Sequence, residues 1–128
     1  MKLAFKKNYH LGILPIISVI GGLWQGQYTD DPYHWGFIFS NALDMINGRV
    51  PYREIFIEYG IVSTVIHATT LIIFEKNIFS LIGITCIFYS LSIFLIGKII
   101  QNITFNKYYG FLSTLILIFI YPWPVWPY

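Results

Sequence analysis

The chain has 128 residues, of which 56% are hydrophobic, 20% aromatic and only 11% charged, and its mean hydropathy is +0.64. Because soluble domains carry about 25% charged residues, this composition indicates a membrane protein rather than a soluble domain. The formal net charge of +2 is small and the lysines are scattered, so a nucleic-acid-binding surface is not expected.

The first predicted element is a membrane span over residues 9–28. An apolar run begins at Leu11 and continues through Trp24, and the twenty residues from Tyr9 to Tyr28 are long enough for one crossing. Lysines before the run favour a cytoplasmic N-terminus, and aromatic residues near its end are typical of the far interface. A cleaved signal peptide is the alternative, but no small-x-small cleavage site follows the run.

The next segment, residues 29–77, is predicted to be a loop on the outer face, and it holds most of the charge. It includes all six acidic residues of the chain, five of them before Gly60, and both arginines. The five acids and the arginines are Asp30, Asp31, Asp44, Glu54, Glu58, Arg49 and Arg53. A polar, acid-rich segment between apolar spans is where we expect function to lie.

Within this loop, residues 32–47 are predicted to form an amphipathic helix. Asp31 is a good N-cap, Pro32 suits the first helical position, and Gly48 supplies the C-terminal stop. A helical stripe of apolar side chains follows, and the opposite face is polar, with His34, Ser40, Asn41, Asp44 and Asn47. The stripe comprises Trp35, Ile38, Phe39, Ala42, Leu43 and Ile46. Such a helix is expected to lie in the membrane interface with its apolar face toward the lipid.

The remaining elements are a short helix over about residues 60–74 and two spans over about 78–97 and 108–122, separated by a polar connection from Lys98 to Lys107. The short helix is brief and polar for a crossing. If it does not cross, the basic residues divide five inside to three outside, and if it crosses they divide four to four. The positive-inside rule therefore favours three crossings over four. We predict an all-α membrane protein with amphipathic juxtamembrane helices in its outer loop.

The candidate chemistry lies at Asp30 and Asp31, directly after the first span. A carboxylate there could act as a general base toward an acceptor hydroxyl, and partial desolvation would raise its pKa toward a useful range. The alternative is that Asp31 is only a helix cap and Asp30 a solvated surface charge. His67 is interpreted as a satisfied structural histidine, and the lone Cys86 as a buried small hydrophobic residue.

Three motifs in the loop carry a resemblance to a known family. They are DDPYHWG at residues 30–36, GRVPYREIF at residues 48–56, and EYG at residues 58–60. Together they resemble the first outer loop of the GT-C glycosyltransferases, polytopic enzymes that take sugars from polyprenyl-phosphate donors. The closest similarity is to the bacterial dolichyl-phosphate-mannose-protein mannosyltransferase-like branch. The resemblance covers nearly the whole chain and corresponds to the first third or quarter of a family member.

The resemblance implies roles for particular residues. Asp31 is similar to the family's catalytic acid, with Asp30 as the alternative, because Pro32 stands where the family often has a second acid. His34 would lie near the donor phosphate or the acceptor. The remaining candidates for substrate binding are Arg49, Arg53, Glu58 and Tyr59. Arginines could bind a phosphate or anionic lipid headgroups, and Glu54 or Glu58 could be their salt-bridge partners.

The predicted function is therefore that of an N-terminal fragment of a membrane glycosyltransferase, with a lipid-linked sugar as donor and missing C-terminal helices or a partner subunit completing the site. The predicted location is the cytoplasmic membrane, with the acidic loop outside. No metal ligand set is apparent, and the sequence leaves a divalent-metal requirement open. The alternative function is a non-catalytic accessory or remnant protein. A small transporter is disfavoured because, His67 apart, ionisable groups are absent from the span interiors.

Overall fold

The computed structural model describes residues 9–28 and 32–120. In this part of the chain the fold is all-helical, as predicted, and contains no β-strand. The elements are α1 (Tyr9–Gln25), a single 3-10 turn (Gly26–Tyr28), α2 (Pro32–Ile46), α3 (Ile61–Ile73), α4 (Ile78–Thr104) and α5 (Lys107–Ile120).

Three of these helices form a bundle in which α4 packs along both α1 and α5, and α1 also contacts α5. The approach of α4 to α5 depends on Gly97 and Gly110. A Cβ atom at Gly110 would lie 2.7 Å from the carbonyl oxygen of Gly97, so the two backbones come this close only because side chains are absent. Thr114, fully buried beside them, donates its hydroxyl to the Gly110 carbonyl at 2.9 Å. Small residues at a helix crossing are typical of membrane bundles.

Helix α4 is longer than its predicted span. It begins at Ile78, where the span was predicted to begin, but it continues past Gly97 to Thr104, so most of the predicted polar connection is helical. Polar side chains do not end a helix by themselves, since lysine and glutamine are good helix formers. The helix ends where Phe105 adopts a left-handed conformation (φ 52°) and Asn106 accepts a hydrogen bond from the Tyr108 amide at 2.9 Å.

The other two helices, α2 and α3, pack against each other and against the N-terminal half of α4. Their shared core is apolar and consists of Trp35, Ile38, Ala42, Ala68, Leu71, Leu81, Ile82 and Cys86. Cys86 is fully buried, in agreement with its interpretation as a small hydrophobic residue. We refer to α2, α3 and the segment between them as the α2–α3 unit.

The predicted apolar stripe of α2 is present, and other helices of the protein cover most of it. Trp35 and Ala42 have no exposed surface, and Phe39, Leu43 and Ile46 pack against the core at partial exposure. The stripe therefore faces α3 and α4, where the sequence alone suggested lipid. Sequence periodicity identifies the apolar face of a helix but not the element that covers it.

The predicted ends of α2 have a clear physical basis. Pro32 is the first helical residue. At the other end Gly48 is left-handed (φ 84°), its amide donates to the Met45 carbonyl at 3.1 Å, and the Arg49 amide donates to the Asp44 carbonyl at 3.0 Å. These two bonds are those of a Schellman motif, which glycine permits at no steric cost.

Among the described residues, α4 is the one helix long and apolar enough to cross a bilayer, by length and composition alone. It has 27 residues, whereas the described parts of α1 and α5 have 17 and 14. Helix α3 is the shortest of the five described helices, with 13 residues.

Candidate functional site

The chain between α2 and α3 runs back along α2 from its end to its beginning. Asn41, in the middle of α2, donates its side-chain amide to the Phe56 carbonyl at 2.9 Å. The ring of Phe37, one turn earlier, lies 6.1 Å from the ring of Phe56 and 6.5 Å from that of Tyr59. The contacts thus move toward the start of α2 as the segment proceeds from Phe56 to Tyr59.

A compact turn at residues 50–55 starts this return. The Val50 carbonyl accepts from the amides of Arg53 and Glu54, and the Val50 amide donates to the Glu54 carboxylate at 2.8 Å. Tyr52 adopts a left-handed conformation (φ 62°), and its amide donates to the Ile55 carbonyl at 3.0 Å. Ile55 is buried, so the far end of the turn is anchored by an apolar side chain.

The return places Tyr59 beside His34, at the beginning of α2. Their ring centroids are 6.2 Å apart, and the exposed Tyr33 ring lies 5.6 Å from that of His34 on another side. Both α2 and α3 begin near this pair, because α3 starts directly after Gly60. The first turn of a helix carries a partial positive charge, so this end of the α2–α3 unit favours an anionic ligand.

The arginines lie at the opposite end of α2. Arg49 and Arg53 follow the last turn of the helix, whereas His34 is on its first turn, and the helix between His34 and Ile46 is about 18 Å long at ~1.5 Å per residue. The predicted substrate-binding residues therefore form two groups. His34, Glu58 and Tyr59 lie at the start of α2, and the two arginines lie beyond its end.

The salt-bridge partner of Arg49 is neither of the glutamates suggested by the sequence. Arg49 pairs with Asp44, one turn earlier, at 3.1 Å, while the Glu54 carboxylate accepts from the Val50 amide. Proximity explains the pairing, because the Schellman motif turns Arg49 back over the last turn of α2. The side chain of Arg49 is 59% exposed, so water and salt screen this ion pair. Arg53 and Glu58 are exposed.

The two predicted catalytic acids, Asp30 and Asp31, lie outside the described residues. In the sequence they directly precede Pro32, the first residue of α2. Their assignment therefore stays a prediction, as does the N-cap role of Asp31.

Sequence reasoning missed the importance of Asn41 and assigned His67 incorrectly. Asn41 was placed on a polar face of α2, but it is buried and fixes the returning segment through Phe56. The ring nitrogen Nδ1 of His67 is buried without a hydrogen-bond partner in the described structure, so this histidine is not the satisfied one predicted. Burial lowers the pKa of His67, since desolvation disfavours its charged form. No pattern in the sequence indicates the buried, hydrogen-bonded environment of Asn41 or the buried environment of the His67 ring.

Among the described residues, no three His, Cys, Asp or Glu side chains are grouped so that they could hold a metal ion. Comparison with protein-family models, with curated proteins and with solved structures finds no match to this chain. The functional argument therefore depends on the residues and the geometry described above.

Proposed function

We propose that this chain is the N-terminal part of a GT-C-like membrane glycosyltransferase that transfers a sugar from a polyprenyl-phosphate donor to an acceptor at the outer face of the cytoplasmic membrane. The observation that supports this most directly is the return of the loop, which brings Tyr59 beside His34 at the start of α2. In the sequence, Asp30 and Asp31 immediately precede that start. Two of the three motifs of the family resemblance, those at residues 30–36 and 58–60, thus meet at one end of the α2–α3 unit through His34 and Tyr59.

The surface of the bundle supports a membrane location. Large apolar side chains are exposed along the outer faces of α1, α4 and α5, an arrangement that water would penalise and lipid favours. They include Ile13, Ile16, Ile20, Ile87, Leu91, Leu95, Leu112, Ile116 and Phe119. We propose three crossings, one each by the segments that contain α1, α4 and α5, with the N-terminus in the cytoplasm and the α2–α3 unit outside.

The proposed reaction needs a base, an anion-binding surface and an exit for the carrier. Asp31, or Asp30 in its place, would take the proton of an acceptor hydroxyl as that oxygen attacks the anomeric carbon of the donor sugar. The bond from that carbon to the phosphate oxygen breaks, and polyprenyl phosphate leaves with the electron pair. The first turns of α2 and α3, with His34 and Tyr59, would stabilise the phosphate as its charge develops.

We assign the arginines a different task, because they follow the end of α2, and the helix from His34 to Ile46 is about 18 Å long at ~1.5 Å per residue. Arg49 and Arg53 are exposed and follow the end of the helix, where they are placed to meet anionic lipid headgroups or a distant part of the acceptor. Direct contact with the donor phosphate would then fall to the His34 end of the unit.

The proposal is tested by measuring sugar transfer with the native full-length protein and a panel of radiolabelled polyprenyl-phosphate sugars. Asp31→Asn is expected to reduce transfer by about 100-fold or more, since it removes a general base. Asp44→Asn is the matched control, because Asp44 pairs with Arg49 at the other end of α2 and its loss should leave transfer nearly unchanged. Equal activity of wild type and Asp31→Asn and Asp30→Asn variants would reject the assignment.

An immunoblot of source membranes separates this function from its non-catalytic alternative. A product several times larger than 14.9 kDa is expected if the chain belongs to a polytopic glycosyltransferase. A native product of 14.9 kDa that shows no transfer with any donor would favour an accessory protein that acts with a partner.

A further inference from the structure

Helix α3 exposes large apolar side chains on the face that points away from the protein. The face that packs on α2 and α4 is rich in hydroxyl groups and includes the buried Thr64 and Thr70 beside Ala68 and Leu71. Thr69 apart, the opposite face is apolar, with Val62 and Ile72 exposed over 70% and 66% of their surface. A helix in contact with water usually places its large apolar side chains inward, and the outward face of α3 departs from that rule.

The hydroxyl groups of α3 need no water. Exposed Thr69 donates to the Val65 carbonyl and buried Thr70 to the Ile66 carbonyl, both at 2.8 Å. Ser63 donates in the same way to the Gly60 carbonyl at 2.7 Å. A polar group in hydrocarbon must find its hydrogen-bond partner within the protein, as these hydroxyl groups do. The whole helix also lacks charged side chains, which first reappear at Glu75 and Lys76.

An apolar groove continues this surface onto the bundle. A cavity of about 420 Å³ lies between the end of α3 and the start of α4, lined mainly by apolar residues. Phe74 and Phe79 stand on its two sides and are both exposed, and Ile87 joins it to the outer surface of α4. The polar residues at the groove satisfy each other, since the Asn77 side-chain amide donates to the Glu75 carboxylate at 2.9 Å.

We propose that the outward face of α3 and this groove are immersed in the outer leaflet, with lipid acyl chains as their occupant. The proposal rests on the membrane placement given under Proposed function but not on glycosyl transfer. Lipid is favoured over a protein partner because the outward face of α3 carries no charged side chain and is continuous with the exposed apolar surface of α4. The one acidic group that lines the groove, Glu75, accepts a hydrogen bond from the Asn77 side chain. The 13 residues of α3 span about 20 Å, against about 30 Å of hydrocarbon, so the helix enters the leaflet without crossing it.

Spin-label accessibility tests this directly in the full chain. In a Cys86→Ala background, nitroxides are placed by Val62→Cys, Val65→Cys and Ile72→Cys on the outward face, and by Asn47→Cys on the exposed loop as control. Each protein is reconstituted into phosphatidylcholine–phosphatidylglycerol vesicles, and its helicity is checked by circular dichroism. Relaxation is then measured with oxygen, which concentrates in hydrocarbon, and with a water-soluble nickel chelate.

We expect the three α3 labels to relax several-fold more with oxygen than with nickel, and the Asn47→Cys label to show the reverse. Nickel access at the α3 positions equal to that of the control would place the face in water and overturn the proposal. Low access to both reagents would show a covering protein surface, from a second copy or another chain, and would overturn it equally. Neither outcome depends on transferase activity, so failure here is separable from failure of the proposed reaction.

Discussion

The bundle and the α2–α3 unit achieve stable packing in different ways. In the bundle, α4 and α5 approach through Gly97 and Gly110, and large apolar side chains point outward. In the α2–α3 unit, Trp35 and Leu71 fill a buried core, and polar groups fix the connecting segment, with Asn41 bound to Phe56. The bundle is closed by two glycines at the α4–α5 contact, while the α2–α3 unit is built around the buried indole ring of Trp35.

This difference separates a supporting region from one able to bind a ligand. A bundle closed by small residues leaves little interior for a polar site, and its exposed surface suits lipid. The α2–α3 unit combines a rigid core with a loop whose backbone is held by capping bonds, and it brings His34 and Tyr59 together at one end. Sites held on rigid elements are the more precise ones, so we place the chemistry there.

The largest expected effect comes from removing the centre of the α2–α3 unit. Trp35 has no exposed surface, and Trp35→Ala is expected to cost about 3–5 kcal/mol through lost burial and the cavity left behind. Thermal unfolding in detergent micelles, together with limited trypsin cleavage at Arg53, measures this loss of stability. Trp24→Ala is the matched control, because Trp24 is 62% exposed and should change little. Equal losses for the two variants would contradict the packing described.

The packing of the bundle is tested by placing a side chain where the backbones of α4 and α5 come closest. Gly110→Ala places a methyl group against the Gly97 carbonyl and the side chain of Gln101, and it is expected to destabilise the α4–α5 pair by about 1–3 kcal/mol. At Gly36, within α2, a Cβ atom meets nothing within 4 Å. Gly36→Ala should therefore be neutral or stabilising by roughly 0.5–1 kcal/mol. Unfolding curves that rank the two variants in the reverse order would exclude the glycine contact.

A smaller effect is expected from the hydrogen bond that holds the returning segment. Asn41→Ala leaves the Phe56 carbonyl without its side-chain donor, at a cost of about 0.5–1.5 kcal/mol, since the bond is only partly buried. Trypsin should then cleave at Arg53 several-fold faster than in the wild type. Asn47→Ala, an exposed asparagine just after the same helix, is the control and should leave cleavage unchanged. An unchanged rate for Asn41→Ala would mean that this bond does not order the loop.

The smallest effect is expected at the surface ion pair. Arg49→Gln removes the contact with Asp44, and because both groups face water the expected loss is below about 1 kcal/mol. The loss should fall further in high salt, where surface charges are screened. A loss of several kcal/mol in unfolding measurements would mean that Arg49 is held by more than this pair.

The sequence predicted the positions of the helices better than the neighbours against which they pack. Hydrophobic periodicity and Gly48 placed α2 nearly as observed, since helix period and capping are local properties. The extension of α4 past Gly97 was not predicted, because polar residues within a helix resemble those of a connecting loop. The α4–α5 contact joins residues that are distant in the sequence, so no local pattern indicates it. The neighbours of His34 could not be foreseen either. They depend on the Asn41–Phe56 bond, which joins residues 15 positions apart.

We propose that the α2–α3 unit is held on the outer face of a membrane by a bundle whose α4–α5 connection lies inside. Side-specific labelling with a membrane-impermeant maleimide tests it most directly, using Asn47→Cys and Phe105→Cys in a Cys86→Ala background. Both positions are exposed in the fold, Phe105 over 96% of its surface. In intact cells we expect Asn47→Cys to react at once and Phe105→Cys to react only after the membrane is permeabilised. Reaction of both from the same side would contradict the account, because α4 would then not separate them across the bilayer.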